Sequence, residues 1–348
     1  MKRKRILILV LGCDNEFFTG QFDNSVMQTY ASHLKDASNF QDANNLENNV
    51  DIIYYYGNPW EPTKLIDSTH LRVQCYDGLE STFRKTVIAL EWCIRNKELD
   101  FLIRANTSTY LNVPLLSYFI DNYARQDVLY GSDLYSLTEG YAPRPLDIFA
   151  RGNCMVMSRS LVDIITKEST QLMYLEKVDD MMIGNLLNYY FMSRGEDYLD
   201  HLCGLTHGWY KAVDIPVENG HQLSTYRSPK DDSLYKSLMS CQVKSYIDRS
   251  LEADHYKELH AVYSSIDYNE STLEDCVRLQ LDYMNNPSIF IGSLIGYIDL
   301  ATWKKTDKNA LFNYEFSHKA SDDAERKKYL AYIEYRKKKS DQSTDHSL

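Results

Sequence analysis

Two adjacent carboxylates stand at the head of an apolar segment in the second half of the chain. Asp179 and Asp180 come directly before residues 181–187, which read MMIGNLL. The pair has a structural explanation, because acidic side chains interact favourably with the free amides at a helix N-terminus, by roughly 0.3–1 kcal/mol each. It also has a chemical one, because a carboxylate in a cleft can act as a general base and take the proton of an attacking hydroxyl. The residues alone leave both interpretations open.

A second set of polar side chains follows directly on a short apolar run. The run is residues 101–103, and Arg104, Asn106, Thr107 and Ser108 come after it. Open α/β sheets bind ligands in the crevice at the carboxyl ends of their strands. We therefore expect these four side chains at the mouth of a ligand crevice. The alternative is an ordinary polar turn after a buried strand, with Arg104 paired to a carboxylate.

Two more segments hold candidate ligand-binding residues. Lys85 falls in the first turn of an amphipathic helix that we expect to begin near Thr82. There the lysine and the exposed amides can meet an anionic diphosphate, although a lysine in that place is more often simply solvated. Gly152 and Asn153 precede another apolar run, and a glycine lets the backbone approach a ligand without a Cβ in the way.

The elements that must position these residues alternate between strands and helices. Strands are expected at residues 6–11, 50–56, 101–103, 154–157 and, at a sheet edge, 128–131. Helices are expected around 24–34, from Thr82 to 93, from Ser158 as N-cap to 165, after residue 178, and over 273–283. Residues 36–49 are rich in Asn and Asp, which favours an exposed loop. This alternation predicts an α/β protein.

Composition excludes some function classes. The chain has 348 residues, 44% of them hydrophobic, so it can bury a sizeable core. A formal net charge of −11 argues against a nucleic-acid partner, because an acidic surface repels the phosphate backbone. The seven cysteines are scattered without any CxxC spacing, which favours reduced thiols in a cytoplasmic protein.

The N-terminal segment and the search for membrane spans also point to a cytoplasmic protein. Basic residues 2–5 precede the apolar run 6–11, but the run is short and lacks a small-residue cleavage pattern, so we interpret it as a first strand. No segment approaches the roughly 18 apolar residues that a transmembrane helix needs.

Several of these segments resemble one enzyme family. Residues 100–112, DFLIRANTSTYLN, are similar to the segment of fringe and β-1,3-galactosyltransferase-like enzymes in which an apolar strand and a basic residue precede an acidic DxD triplet. They are more similar to a bacterial and viral branch with Arg-x-Asn-Thr-Ser in place of DxD. Residues 178–184 resemble the family's Glu-Asp-Val-x-x-Gly motif, and residues 82–86 and 149–159 match two further motifs. The resemblance covers approximately residues 4–255.

The resemblance implies a fold and an activity. The fold is GT-A-like, with a Rossmann-type central sheet flanked by helices. The activity is that of an inverting, hexosyltransferase-like glycosyltransferase in polysaccharide biosynthesis, which moves a sugar from a nucleotide-sugar donor to a hydroxyl of a glycan or lipid-linked acceptor. Asp180 takes the position of the general base and Asp179 a supporting one. The expected donor-binding residues are Lys85, Arg104, Asn106, Thr107, Ser108, Gly152 and Asn153.

The neutral triplet departs from the commoner acidic pattern. Neutral oxygens hold Mg²⁺ or Mn²⁺ less well than carboxylates do. Either a weak metal site uses Asn106, Ser108 and the donor phosphates, or Arg104 and Lys85 neutralise the leaving group without a metal. We favour catalysis that depends weakly or not at all on a divalent metal. The rival function is that of a non-catalytic carbohydrate-binding relative, in which loss of the acidic triplet marks lost turnover.

The expected organisation is a GT-A-like domain over residues 1–255, a helical extension over 256–339 and a disordered tail over 340–348. Within the extension, residues 322–339 form a predicted helix with seven Lys/Arg and four Asp/Glu. Such a helix can rest on the inner face of an anionic membrane, where a lipid-linked acceptor lies, or it can pack on its own domain. Both interpretations stay open.

Overall fold

The computed structural model describes residues 3–32, 34, 49–132, 134–136, 148–172, 178–209, 237–243 and 249–285. Its strands in chain order are β1 (Ile6–Leu11), β2 (Val50–Gly57), β3 (Lys64–Leu65), β4 (His70–Val73), β5 (Phe101–Asn106), β6 (Thr109–Leu111), β7 (Leu129–Gly131), β8 (Leu134–Ser136), β9 (Ile148–Ala150), β10 (Cys154–Ser158), β11 (Leu202–Gly204), β12 (His207–Trp209) and β13 (Ser240–Gln242). Its α-helices are α1 (Glu16–Gln21), α2 (Thr82–Asn96), α3 (Val113–Asn122), α4 (Arg159–Glu168), α5 (Asp179–Met192), α6 (Glu252–Ser264) and α7 (Glu270–Asn285).

Eight strands form the central sheet, in the order β11-β7-β10-β5-β1-β2-β4-β3. The strands β5, β1, β2 and β4 run parallel, and β10 lies antiparallel between β5 and β7. The expected strand at 128–131 is present as β7, but its predicted place at the sheet edge is wrong. A further strand, β11, pairs with the other side of β7. The two strands are about 70 residues apart in the chain, so the sequence near β7 does not indicate this pairing.

Side chains of β1 alternate between two apolar clusters. Ile8 and Val10 lie in a cluster with residues of α3, α6 and α7, whereas Leu7 and Leu9 lie in one with residues of α2, α4 and α5. Successive strand residues point to opposite faces of a sheet, so helices cover both faces. A largely parallel sheet covered on both sides is an α/β arrangement, which confirms the predicted fold class.

The helices after residue 250 belong to this same core. Tyr256, Leu259 and Val277 are buried in the cluster on the α3 face of the sheet, and Tyr256 donates a hydrogen bond to the carbonyl of Thr107 at 2.7 Å. The predicted boundary at residue 255 falls inside α6. A break between the sheet domain and a helical extension therefore does not lie at that residue. The predicted helix 322–339 and tail 340–348 lie outside the described residues.

The first helix begins earlier than the predicted 24–34. Asn15 caps α1 by accepting a hydrogen bond from the amide of Phe18 at 3.0 Å, and a π-helical turn, Phe22–Val26, follows directly. An asparagine cap is a local signal that fixes where the helix starts. Residues 36–48 of the predicted loop 36–49 lie outside the described residues. Across the described ranges, no helix is both long and apolar enough to cross a bilayer.

Candidate active site

Arg104 lies within β5 rather than at its mouth. The strand continues to Asn106, and Arg104 is in register with Leu9 on β1 and Met155 on β10. The Arg104 side chain is only 2% exposed. The expectation that the polar side chains begin outside the strand is therefore wrong for Arg104.

Arg104 forms a buried ion pair with the first acid of α5. Its Nη2 lies 2.7 Å from Asp179 Oδ2, and the Asp179 side chain is 5% exposed. The alternative interpretation of the sequence, in which Arg104 pairs with a carboxylate, describes this contact. The helix that carries the two acids and the end of the central strand are thus in direct contact, with no ligand pocket between these two side chains.

Helix α2 holds the start of α5 through two threonines. Thr86 Oγ1 donates to Asp179 Oδ2 at 2.8 Å, and Thr82 Oγ1 accepts from the Asp179 amide at 3.2 Å. On β2, the Tyr55 hydroxyl bonds with Thr86 Oγ1 at 2.7 Å. From the sequence we selected Lys85, which lies between these threonines, and did not predict that they bind the start of α5. The spacing of four residues, which puts both on one face of a helix, was the available signal.

Asp180 uses both carboxylate oxygens in hydrogen bonds to backbone amides. Oδ2 accepts from the Gly152 amide at 3.0 Å, and Oδ1 accepts from the amide of Met181 at 2.8 Å. Burial raises the pKa of Asp180, and the negative charge of Asp179 raises it further, while the Gly152 bond and Arg104 act in the opposite direction. A carboxyl group with a raised pKa is a stronger base than an ordinary aspartate, as proton removal requires.

Gly152 lies against the side chains of Arg104 and Asp180. A Cβ on Gly152 would lie 2.8 Å from Arg104 Nη1 and 3.4 Å from Asp180 Cβ. The close contacts of Gly152 are with protein side chains, and the expected approach to a ligand stays a prediction. The Gly152 carbonyl also accepts a hydrogen bond from Arg104 Nη1.

Lys85 is buried rather than exposed in the first turn of α2. Its Nζ lies 2.6 Å from Asp77 Oδ1 and donates to the carbonyl of Gly12 at 2.8 Å. Asp77 Oδ1 also accepts from the Gly57 amide at 2.7 Å, at the end of β2. The lysine therefore lies at the carboxyl ends of β1 and β2, and its charge is paired with the Asp77 carboxylate. Contact with a donor stays a prediction for this residue.

Asn106 and Asn153 stand side by side at the end of β5. The Asn106 amide nitrogen Nδ2 donates to Asn153 Oδ1 at 3.4 Å, and Arg104 Nη1 donates to Asn106 Oδ1 at 2.8 Å. Asn153 Nδ2 in turn donates to Gln242 Oε1 on β13 at 2.6 Å. The two amides thus connect the central strand to the small sheet of β12, β13 and β6.

Thr107 and Ser108 form a buried turn between β5 and β6. The Thr107 carbonyl accepts from the Tyr256 hydroxyl at 2.7 Å, and the Ser108 carbonyl accepts from the Val243 amide at 2.9 Å. Both residues are at most 5% exposed. Segments far along the chain therefore fix this turn, whose two side chains were expected at the mouth of a ligand crevice.

The residues at this edge fit a divalent cation poorly. Among the described residues, no group of three or more His, Cys, Asp or Glu side chains converges on one point. The triplet offers only neutral oxygens, and Asn106 Oδ1 already accepts from Arg104. Divalent Mg²⁺ and Mn²⁺ favour carboxylate oxygens, and the Asp179 carboxylate, which pairs with Arg104 beside this triplet, is already held by Arg104 and Thr86.

Comparisons with known proteins give only weak likenesses. No protein-family model matches the sequence, and no curated protein matches it. A glycosyltransferase involved in the glycosylation of the major capsid of PBCV-1 is similar in structure at a TM-score of 0.38 and 9% identity, over 73% of this chain and 98% of that chain. An active-site mutant of LgtC is similar at a TM-score of 0.36 and 11% identity, over 77% of this chain and 99% of that chain. Likenesses this weak carry no argument about activity, so the case for a function depends on the chain's own residues.

Proposed function

We propose that this protein is an inverting glycosyltransferase that uses a nucleotide-sugar donor, with Asp180 as the general base. The observation that carries the proposal is the place of Asp180. It lies at the start of α5, bonded to Gly152 at 3.0 Å, beside the carboxyl end of β5. The sequence resemblance assigns the base to this position, and ligands of open α/β sheets bind at this edge.

In the proposed reaction, Asp180 takes the proton of the acceptor hydroxyl while that oxygen attacks the anomeric carbon. The bond from the anomeric carbon to the nucleotide diphosphate breaks on the opposite face, so the configuration inverts. One base suffices for this displacement. The raised pKa of Asp180, caused first by burial and then by Asp179, makes it a stronger proton acceptor.

The proposed donor site extends along the end of β5 to the start of β10. Direct donor contact for Lys85 and Arg104 stays a prediction, and the geometry favours a supporting role, because each cation is buried against a carboxylate. The remaining proposed donor-binding residues are Asn106, Thr107, Ser108, Gly152 and Asn153. We propose a glycan or lipid-linked hydroxyl as acceptor and a cytoplasmic location, with peripheral membrane contact through residues 322–339, which lie outside the described residues.

The test is nucleotide release from a panel of UDP- and GDP-linked sugars by the wild type, Asp180→Asn and Asp163→Asn. We expect Asp180→Asn to lose about 100-fold or more in turnover while it still binds the donor. Asp163, an exposed acid paired with Arg159 on α4, is the matched control and should leave turnover unchanged. A wild type that binds glycans but releases no nucleotide from any donor would instead support the carbohydrate-binding function.

Metal dependence is tested separately. We expect dialysis against EDTA to reduce transfer only modestly, because the neutral triplet fits a divalent ion poorly. If EDTA abolishes transfer and Mn²⁺ restores it, the proposal that catalysis depends weakly or not at all on a divalent metal is wrong.

A further inference from the structure

Arg104 connects three separate parts of the candidate site. Its Nη2 binds Asp179 Oδ2 at 2.7 Å, and its Nη1 donates to Asn106 Oδ1 at 2.8 Å and to the Gly152 carbonyl. A planar guanidinium holds several acceptors at fixed angles, which a lysine ammonium does not do. Both terminal nitrogens are therefore directed at protein acceptors.

Gly152 links Arg104 to Asp180. Its carbonyl accepts from Arg104, and its amide donates to Asp180 Oδ2 at 3.0 Å. The space around it is filled, since a Cβ would meet Arg104 Nη1 at 2.8 Å and Asp180 Cβ at 3.4 Å. A change in the position of Arg104 should therefore move Gly152, and with it the hydrogen bond from the Gly152 amide to Asp180 Oδ2.

Asp179 supplies the negative charge that allows Arg104 to be buried. An unpaired guanidinium in this place would carry a large desolvation penalty. Thr86 on α2 donates to the same Asp179 oxygen at 2.8 Å and so fixes its orientation. The two neighbouring acids of α5 consequently have different partners, with Asp179 bonded to Arg104 and Asp180 bonded to Gly152.

We infer that Arg104 is a positioning residue, which, neutralised by Asp179, fixes Gly152 so that the Gly152 amide orients the Asp180 carboxylate. The inference rests on the proposed function only in taking Asp180 as the base. It gives Arg104 a role other than contact with the donor diphosphate. The side chains of Arg104 and Asp179 also act on the pKa of Asp180. Burial raises that pKa most, the Asp179 charge raises it further, and the Arg104 charge lowers it.

The kinetic test replaces Arg104 by lysine, which keeps a positive charge opposite Asp179 and removes the planar guanidinium with its two terminal nitrogens. We expect kcat to fall about 10- to 100-fold, because small displacements of a reacting group are costly. We expect the Kd for UDP and GDP, measured by titration calorimetry, to stay within about twofold of the wild type. Arg278→Lys is the matched control, since Arg278 pairs with Asp275 at 2.8 Å on the surface of α7, far from this site along the chain.

A second readout does not depend on catalysis. In ¹⁵N-glycine-labelled protein, the Gly152 amide proton should shift with pH as Asp180 ionises, and Asp180→Asn, which abolishes that shift, identifies the signal. We expect Arg104→Lys to remove most of the shift and Arg278→Lys to preserve it. If Arg104→Lys fails to fold, the double variant Arg104→Gln with Asp179→Asn, which buries no unpaired charge, should show the same loss.

The outcomes separate the inference from the proposed function. Weaker UDP and GDP binding in Arg104→Lys with unchanged kcat would mean that Arg104 contacts the donor, which overturns the inference. An unaltered Gly152 titration in Arg104→Lys would overturn it as well. If the wild type transfers no sugar, the proposed function fails, and the Gly152 titration still decides whether Arg104 positions Asp180.

Discussion

Removal of the Asp179 charge should destabilise this protein far more than removal of a matched surface charge. The Arg104 and Asp179 side chains are 2% and 5% exposed at a separation of 2.7 Å. The Arg278 and Asp275 side chains are 68% and 66% exposed at 2.8 Å. The two pairs therefore have nearly the same geometry and differ in burial. Breaking a buried pair leaves an uncompensated charge and costs about 3–5 kcal/mol, whereas an exposed pair contributes about 0–1 kcal/mol.

The measurement is urea unfolding of the wild type, Asp179→Asn and Asp275→Asn at pH 7. With an m-value of about 3 kcal/mol/M, Asp179→Asn should lower the urea midpoint by about 1 M or more. Asp275→Asn should leave the midpoint nearly unchanged. Added salt should reduce this small effect but leave the effect of Asp179→Asn largely unchanged, because salt screens exposed charges much more than buried ones. Equal midpoints for the two variants would refute the view that Arg104 depends on Asp179 for its burial.

Three further predictions concern the same site. Burial raises the pKa of Asp180, so the folded state binds this proton more tightly and stability falls as pH rises from about 3.9 through the raised pKa. Asp180→Asn should therefore be more stable than the wild type at pH 7, and the difference should close below that window in urea unfolding. Gly152→Ala should cost about 1–3 kcal/mol by overpacking, because its Cβ would lie 2.8 Å from Arg104, whereas Gly20→Ala, with nothing closer than 3.7 Å, should not destabilise. Tyr256→Phe should cost about 1–2 kcal/mol, because the buried Thr107 carbonyl loses its donor.

Each of these has an outcome that would contradict it. A stability gap between Asp180→Asn and the wild type that widens toward low pH would reverse the sign argued for the Asp180 pKa. A Gly152→Ala protein as stable as Gly20→Ala would show that the close contacts relax freely. Unchanged thermal unfolding of Tyr256→Phe would mean that water replaces the lost hydroxyl.

Local signals in the sequence predicted most elements that carry the site. The helix at Thr82 and the strand at Phe101 begin where hydrophobic periodicity placed them. Ser158 caps α4 by accepting from the Leu161 amide at 3.2 Å, as its residue type and place predicted. The acidic pair opens α5 at Asp179. Periodicity and capping depend on residues a few positions apart, so the sequence displays them directly.

Pairing between distant segments was not visible in the same way. β7 was expected at an edge, but β11 covers it. Residues from 256 onward in α6 were expected in a helical extension, yet Tyr256 donates a hydrogen bond to the turn after β5. Both contacts join residues far apart in the chain, and no local pattern encodes their partner.

The sequence by itself determined that this is an α/β protein and which polar residues follow its central strand. Only the tertiary structure decided what those residues contact. Arg104 was expected at the mouth of a ligand crevice, because open α/β sheets bind ligands at the carboxyl ends of their strands, and pairing with a carboxylate was the alternative. Arg104 lies buried instead, since α5 brings Asp179 to 2.7 Å from its guanidinium. The free-energy cost of burying one charge depends on whether an opposite charge packs against it, and that is a property of the fold rather than of any single segment.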